Sequence, residues 1–514
     1  MRGRMLSPVE HLPVLIVVIS MLSAFTILIV GWRNKNACPF ISIVTIIIQL
    51  VMAIFVLHHV LTIGSIYYWL GGWSPPWGIE YAVDALNAYI LVIILFLGLL
   101  CAIHSKSSVE HELPGKKVFF FTLYQLFIAG LCGVTVTGDI FNMYVFIEIL
   151  SLSAYALVAS KGGTSLRAGF TYLVMGSIGA CFFLIGICFL YSVTGSLNIH
   201  DLALLLPPLY GNRAVQAAFI FVIVGLGIKM AIFPLHTWLP DAHPAAPSPI
   251  SAMLSGIMIM VGFYALIRVL FTLFPYYYHY GLILLVLGLL SMTVANLFAY
   301  FQNDLKRLLA YSSIVNMGII ATGTGVAAYI LSTLAEPSKV LMEAASLAMA
   351  GALLHILGHG LAKALVFLGS GNIHATIHTR ELSEMGGIGR YMPYTGYSMT
   401  VGLLSLLGLP PLIGFWSKFL ILMSVAMAIR SIGGAVLIIT FIMLLFNVIY
   451  AAAYYLRVTK VLMIESGAVK THEAPSLMVF PVVAFALACL IGGLFPILII
   501  QIAVRASLAI LGGG

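Results

Sequence analysis

Charge is what this chain of 514 residues has least of: Asp, Glu, Lys and Arg together make up 8% of it. A soluble domain carries about 25%, so this surface could not be solvated and a water-soluble enzyme is excluded. Cysteine is sparse as well. Cys38, Cys101, Cys132, Cys181, Cys188 and Cys489 lie in or beside apolar runs and form no C-x-x-C pair, which argues against a disulfide framework and against a zinc or iron–sulfur ligand set. No nucleotide loop or cofactor box is visible, so neither a cofactor nor a resident metal is expected in this chain. The net charge of +8 comes without a clustered Lys/Arg face, so nucleic acid is not an expected partner.

In place of charge there is hydrophobic sequence. Apolar residues make up 62% of the chain and the mean hydropathy is +1.12. Fourteen apolar runs between residues 11 and 505 are each long enough for the ~20 residues that a bilayer crossing needs. They are too long and continuous for barrel strands, and only helices and closed barrels satisfy the backbone in lipid. The sequence therefore predicts an all-α polytopic membrane protein, embedded in lipid, without a soluble domain. The first run, residues 12–32, is too long for a signal segment and is read as a retained helix.

Connecting segments predict the orientation. Fourteen Lys/Arg follow odd-numbered spans, seven (Arg2 and Arg4 among them) lie on the other side, and Lys229, Lys363 and Lys418 fall inside spans. The positive-inside rule then puts both termini on the outer face of a prokaryotic cell membrane.

Two spans carry breaks. The seventh, residues 215–238, runs into GLGIKMAIFPLHTWLPDAHP (225–244), with Lys229 read at its middle and Pro234 beyond. The twelfth, residues 393–428, contains SLLGLPPLIGFWSKFLIL with Pro410, Pro411 and Lys418. Proline removes a helical hydrogen bond, and freed carbonyls are tolerated at membrane depth only where protein or a watery cavity accepts them. A pair of such spans, each with a lysine, is a pointer to a repeat-built transporter.

Ionisable residues inside spans are expensive, ~2.5–3.5 kcal/mol each on insertion scales, so they mark function. Glu148 lies in the fifth span, Lys229 in the seventh, Lys363 in the eleventh and Lys418 in the twelfth. In LLHILGHGLAKALVFLG, His355, His359 and Lys363 recur at i, i+4 and i+8, one helical stripe ~12 Å long. Such a stack reads as a proton relay. The histidine pair could also ligate zinc, but that helix has no carboxylate or cysteine nearby to complete a site.

Five motifs, GDIFNMYVFIEILSLSAYALV, GLGIKMAIFPLHTWLPDAHPAAPSPISA, NDLKRLLAYSSIVNMG, HILGHGLAKALVFLGSGNI and LGLPPLIGFWSKF, together resemble the antiporter-like subunits of respiratory complex I. Within that family they look most similar to the D-type subunit of Mrp cation/proton antiporters and its relatives in archaeal membrane-bound hydrogenases and sulfane reductases. The resemblance covers roughly residues 80–460. It implies fourteen helices with two inverted five-helix repeats: a three-helix segment at 1–117, repeats at 118–273 and 279–457, and a C-terminal helix at 458–514. It also implies that Glu148, Lys229, His355, His359, Lys363 and Lys418 form the proton path, with Asp139, His236 and Lys306 as accessory candidates. Lys306 can equally be read as a positive-inside anchor. Expected partners are other membrane subunits, further antiporter-like subunits among them, and a peripheral redox arm, with H+ and Na+ as the ions.

One position departs from the family. Its eighth span often carries a lysine where SGIMIMVGFYALIR has Met260. Methionine carries no proton, so a link between Lys229 and the His/Lys stripe must run through water or hydroxyls such as Ser251 and Ser255. Two other readings stay open at this point, a self-contained transporter for a small solute and a structural subunit that no longer conducts.

Overall fold

Lipid offers the backbone no hydrogen-bonding partner, so runs of this length close their bonds internally as helices. The computed structural model describes residues 7–275, 280–333, 338–467 and 470–512; Arg2 and Arg4 lie outside them. The chain begins with α1 (Leu12–Arg33), α2 (Ala37–Thr62) and α3 (Ala85–Glu112). It continues through α4 (Lys117–Val136), α5 (Ile140–Ala159), α6 (Thr164–Thr194), the short α7 (Ile199–Leu205), α8 (Arg213–Lys229) and α9 (Leu239–Ala245). Next come α10 (Ser248–Met253), α11 (Ile259–Leu273), α12 (Tyr280–Tyr300), α13 (Leu305–Thr333) and the 39-residue α14 (Lys339–Ile377). The last five are α15 (Pro393–Leu407), α16 (Ile413–Ile432), α17 (Ala435–Met463), α18 (Ser476–Leu494) and α19 (Pro496–Leu511). The segment Ser248–Leu273 is buried except near its end at Arg268 and Thr272, and α14 is buried along most of its length. Outward-facing side chains such as Phe25, Ile29, Phe40 and Ile442 are apolar and exposed, as a lipid-facing surface requires.

Among the described residues thirteen helices are long and apolar enough to cross a membrane. The seventh expected span is missing from that set because it is not one helix: α8 stops at Lys229, so this lysine terminates a helix and does not sit at the middle of one. The twelfth span is likewise divided, into α15 and α16, by Gly408 to Leu412. A third interruption was not expected. The C-terminal run is two helices, α18 and α19, parted at Phe495 where Pro496 opens the second, since proline fits the first turn of a helix but not its interior.

A two-stranded hairpin, β1 (Ile66–Trp69) paired antiparallel with β2 (Glu80–Val83), interrupts the helices ahead of α3. Its runs are too short to register beside the apolar spans. The Glu80 carboxylate, buried, accepts from Trp69 Nε1 (3.1 Å) and Asn198 Nδ2 (3.0 Å).

One local device occurs twice. At the start of α5, Ile140 N donates to Leu197 O and Ile199 N to Gly138 O, both at 2.9 Å. At the start of α13, Leu305 N donates to Arg380 O (2.9 Å) and Leu382 N to Asn303 O (3.0 Å). In each, an Asp caps the new helix, Asp139 onto Asn142 N and Asp304 onto Arg307 N.

Close approach of α6 and α8 depends on glycine. A Cβ on Gly225 would lie 2.6 Å from Phe183 N and 2.7 Å from Gly179 O. At the hairpin end of the bundle, Asp84 caps α3 by accepting from Leu86 N and Asn87 N, and it grips Arg268 of α11 through both carboxylate oxygens (2.8 and 2.9 Å). Burial alone would raise the Asp84 carboxyl, but the Arg268 guanidinium and these backbone donors hold it below its usual range.

Two stability measurements test this packing. Gly225→Val should cost ~1–3 kcal/mol by overpacking, read as a lower unfolding temperature in detergent, whereas Gly211→Val, with nothing within 4 Å of the new Cβ, should leave it unchanged. Arg268→Gln should cost ~1–3 kcal/mol near neutral pH. Because the Asp84 carboxyl is depressed in the fold, its contribution is complete above the ordinary carboxylate value of ~3.9 and is lost as pH falls through the depressed value. The stability gap between wild type and Arg268→Gln should therefore close only in acid.

Candidate functional site

The two helix breaks leave carbonyls without helical partners, and the way each is satisfied decides what its lysine is free to do. At the first, Trp238 Nε1 donates to Ile228 O (2.9 Å) and Phe233 N donates to Ser291 Oγ (2.9 Å). Ala231 takes φ +54, a left-handed conformation that costs a non-glycine residue ~1–2 kcal/mol. With other groups serving this backbone, the Lys229 ammonium reaches across to α5. It donates to Ser151 Oγ (2.8 Å) and Tyr155 Oη (3.2 Å) and lies 3.6 Å from Glu148 Oε1. Glu148, Ser151 and Tyr155 follow at i, i+3 and i+7, one face of α5. Lys229 is 5% exposed, whereas the Glu148 side chain is 26% exposed, so the carboxylate stands at the edge of the chain's own surface, beside exposed Phe141, Val145 and Leu152. Aromatic packing seats the cluster: Tyr155 meets Tyr172 edge-on and Tyr172 stacks on Trp238 at 4.1 Å.

At the second break the lysine itself does the satisfying. Lys418, on α16, donates to Leu406 O (2.5 Å) and Leu407 O (3.0 Å), the last carbonyls of α15. Gly408 is needed there, because its φ is +91 and a Cβ would come within 3.0 Å of Lys418 Cδ. The next residue back, Ser417, bonds His355 Nδ1 (2.8 Å), whose Nε2 meets Asn316 Oδ1 (3.0 Å).

The eleventh-span stripe is continuous and buried on α14. His355 and His359 have ring centroids 6.3 Å apart, and Lys363 donates to Leu309 O (2.7 Å) and to Ser312 Oγ. His359 Nε2 bonds Ser255 O (3.1 Å), while its Nδ1 has no partner. Ser255 belongs to Leu254–Met258, a turn of π-helix between α10 and α11, the type of local widening that recurs at functional sites.

Among the described residues no hydrogen bond joins the Glu148–Lys229 cluster to this stripe. Of the expected hydroxyls, Ser255 sits beside the stripe and bonds Ser313 Oγ at 2.6 Å, but Ser251 turns away to His243 O. Met258 and Met260 are both buried, and Met258 Sδ lies 3.1 Å from Tyr172 Oη, the ring that packs edge-on against Tyr155 of the lysine cluster.

The accessory candidates separate. Asp139 is an N-cap whose burial raises its carboxyl. His236 lies in the first break with Nδ1 unpartnered. Lys306 is 1% exposed and donates to Ala246 O at 3.2 Å, a buried position unlike that of a surface anchor. Sequence reasoning passed over His243. It is fully buried, neither ring nitrogen has a partner, and it stacks at 4.7 Å on Phe367, whose ring also lies 6.0 Å from the Lys363 ammonium. The signal was a histidine directly after a broken helix, in PDAHP.

Residues 137–447 match the family model described as NADH:quinone oxidoreductase/Mrp antiporter, transmembrane. The chain is 36% identical over 452 residues to the N-type subunit of the NADH-quinone oxidoreductase of Desulforudis audaxviator, covering 87% of this chain and 85% of that one. It is 30% identical to the D-type subunit of the Na(+)/H(+) antiporter of Alkalihalophilus pseudofirmus, covering 75% of each. A chain of the membrane-bound sulfane sulfur reductase, an archaeal respiratory membrane complex, superposes with a TM-score of 0.86 at 27% identity, covering 97% of each.

The contrast between the two lysines is measurable. Lys418→Met should uncap α15 and lower stability by ~1–3 kcal/mol, seen as a lower unfolding temperature in detergent, while Lys229→Met combined with Glu148→Gln, which removes both charges of the pair, should change it less, because Trp238 and Ser291 already serve the first break.

Proposed function

Since the chain belongs to the NADH:quinone oxidoreductase/Mrp antiporter transmembrane family, we propose that this antiporter-like membrane subunit moves protons through its own mid-membrane residues. The observation that carries the reading is the buried Lys229 ammonium 3.6 Å from the Glu148 carboxylate. In the resting state the pair neutralises itself. Glu148 is partly exposed, so a charged group on an adjoining subunit can draw it away. Breaking a buried pair leaves an uncompensated charge, which is strongly unfavourable, and Lys229 relieves it by giving up its proton.

The proton then passes to neutral imidazoles at His359 and His355 and to the Lys363 side chain in its amine form, each taking up one proton as it hands one on. Lys418, one residue from the serine that holds His355, delivers it toward the opposite face. Transient water between Tyr172 and Ser255 carries the step past Met258 and Met260. Moving one charge against 100 mV requires ~2.3 kcal/mol, within what making and breaking one buried pair provides. The driving force comes from neighbouring subunits, through a peripheral redox arm or a sodium gradient. Both termini lie on the outer face of a prokaryotic membrane, and the two five-helix sets act as inverted halves.

The test uses the assembled complex in sealed vesicles with a pH-sensitive dye. Lys229→Ala and Glu148→Gln should each slow proton movement by about tenfold or more, equivalent to ~1.4 kcal/mol or more on the barrier, with assembly intact. Unchanged pumping by Lys229→Ala would sink this route. If Met260→Lys, which adds a titratable group on α11, restored part of the rate lost in Glu148→Gln, α11 would be identified as the narrow point of the path.

A further inference from the structure

On the face where Lys161, Arg167, Arg307 and Arg380 gather, opposite the Asp84–Arg268 end, a cavity of about 940 Å³ opens beside the start of α6. Those four basic side chains line it with His374 and His378, against two acids, Asp241 and Glu381. Three of the cations have ion partners: Lys161 pairs with Glu112 (2.7 Å), Arg307 with Asp241 (3.4 Å) and Arg380 with Asp304 (3.2 Å). Glu112 and Asp304 do not line the cavity. Arg167 is exposed and has no hydrogen bond or ion pair among the described residues, and the buried Nδ1 of His374 is also without a partner.

The helix that borders the cavity, α6, carries an apolar track further along. Arg167, Thr171, Val174, Ile178, Cys181 and Ile185 follow at intervals of three and four, one stripe of α6, and the side chains from Leu173 to Ile185 flank an apolar groove of about 400 Å³. At 1.5 Å per residue that groove runs ~18 Å, more than the ~15 Å hydrocarbon depth of one leaflet. Leu166 and Phe170, on the same turns of α6 as Arg167, are apolar and exposed (58% and 66%).

We propose that this composite is a binding site for one anionic phospholipid, its phosphate among Arg167, Lys161 and Arg380 and one acyl chain along the α6 groove. The charge complementarity is local: the basic end is set where a headgroup lies, and two residues beyond Thr171, which lines it, Leu173 begins an apolar track suited to a hydrocarbon chain. A free phosphate would use the first part alone and a zwitterionic lipid would gain little from Arg167. Basic pockets between helices recognise anionic headgroups in this manner.

The test is native mass spectrometry of the full-length chain in detergent, titrated with dioleoylphosphatidylglycerol or dioleoylphosphatidylcholine. The anionic lipid should be retained about fivefold or more over the zwitterionic one, the worth of one basic contact. Arg167→Gln should remove about that factor and Arg167→Lys restore it. Ser177→Trp, which fills the groove and leaves the basic end intact, should weaken retention independently, with an unchanged unfolding temperature confirming that the variants fold. Equal retention of both lipids, or no effect of either Arg167→Gln or Ser177→Trp, overturns the proposal. Full displacement by inorganic phosphate with no effect of Ser177→Trp would make it a free-anion site. Cross-linking from position 178 to a protein subunit, with no lipid retained by the assembled complex, would make it a protein interface.

Discussion

A bilayer supplies no water to the backbone, so every interruption of a helix inside it must be repaired by the protein itself. This constraint organises the molecule. Among the described residues three spans are interrupted, and what completes the first two breaks determines the chemistry around them. The first is repaired by an indole and by a serine hydroxyl. The second is repaired by an ammonium. The same residue type therefore has two different degrees of freedom: Lys229 is released to pair with a carboxylate on another helix, whereas Lys418 is held by the carbonyls of the break beside it.

That difference also separates positions that look alike in sequence. Both lysines lie beside proline-broken spans, and both match the motifs of one family. What they touch depends on whether the lysine precedes or follows its break, and on whether another donor reaches the exposed carbonyls first. Trp238 does so at the first break, held in place by its stack on Tyr172. The largely buried segment Ser248–Leu273 lies between the two lysine sites, and its π-turn presents the Ser255 carbonyl to His359.

Much of this was legible beforehand because the physics is one-dimensional. Long apolar runs become helices, and rare charges inside them stand out, so Glu148, Lys229, Lys363 and Lys418 were found from composition alone. The i, i+4, i+8 spacing put His355, His359 and Lys363 on one face, where they are. Other features depend on contacts between distant segments. The hairpin at residues 66–83 is only two four-residue strands. The end of α8 at Lys229 depends on partners from α12 and from beyond the break. His243 stands out only once both of its nitrogens are seen to lack partners. Proline at 496 ends a span that hydropathy reads as continuous, because hydropathy does not register a missing backbone donor.

The small bridges at Asp139 and Asp304 have a mechanical consequence. Each fastens the first turn of a long helix to the strand-like segment leading into the next broken span, so the helix is pinned at that end, while along its length α5 packs between α4 and α6. Glu148 lies nine residues from the pinned end, a lever arm of ~13 Å. A tilt of about 5° about that point moves the carboxylate by roughly 1 Å while hardly disturbing the bridge. Glu148, partly exposed, thus lies far enough from the pinned end of α5 for a small rotation of that helix to register as a change of distance at the ion pair.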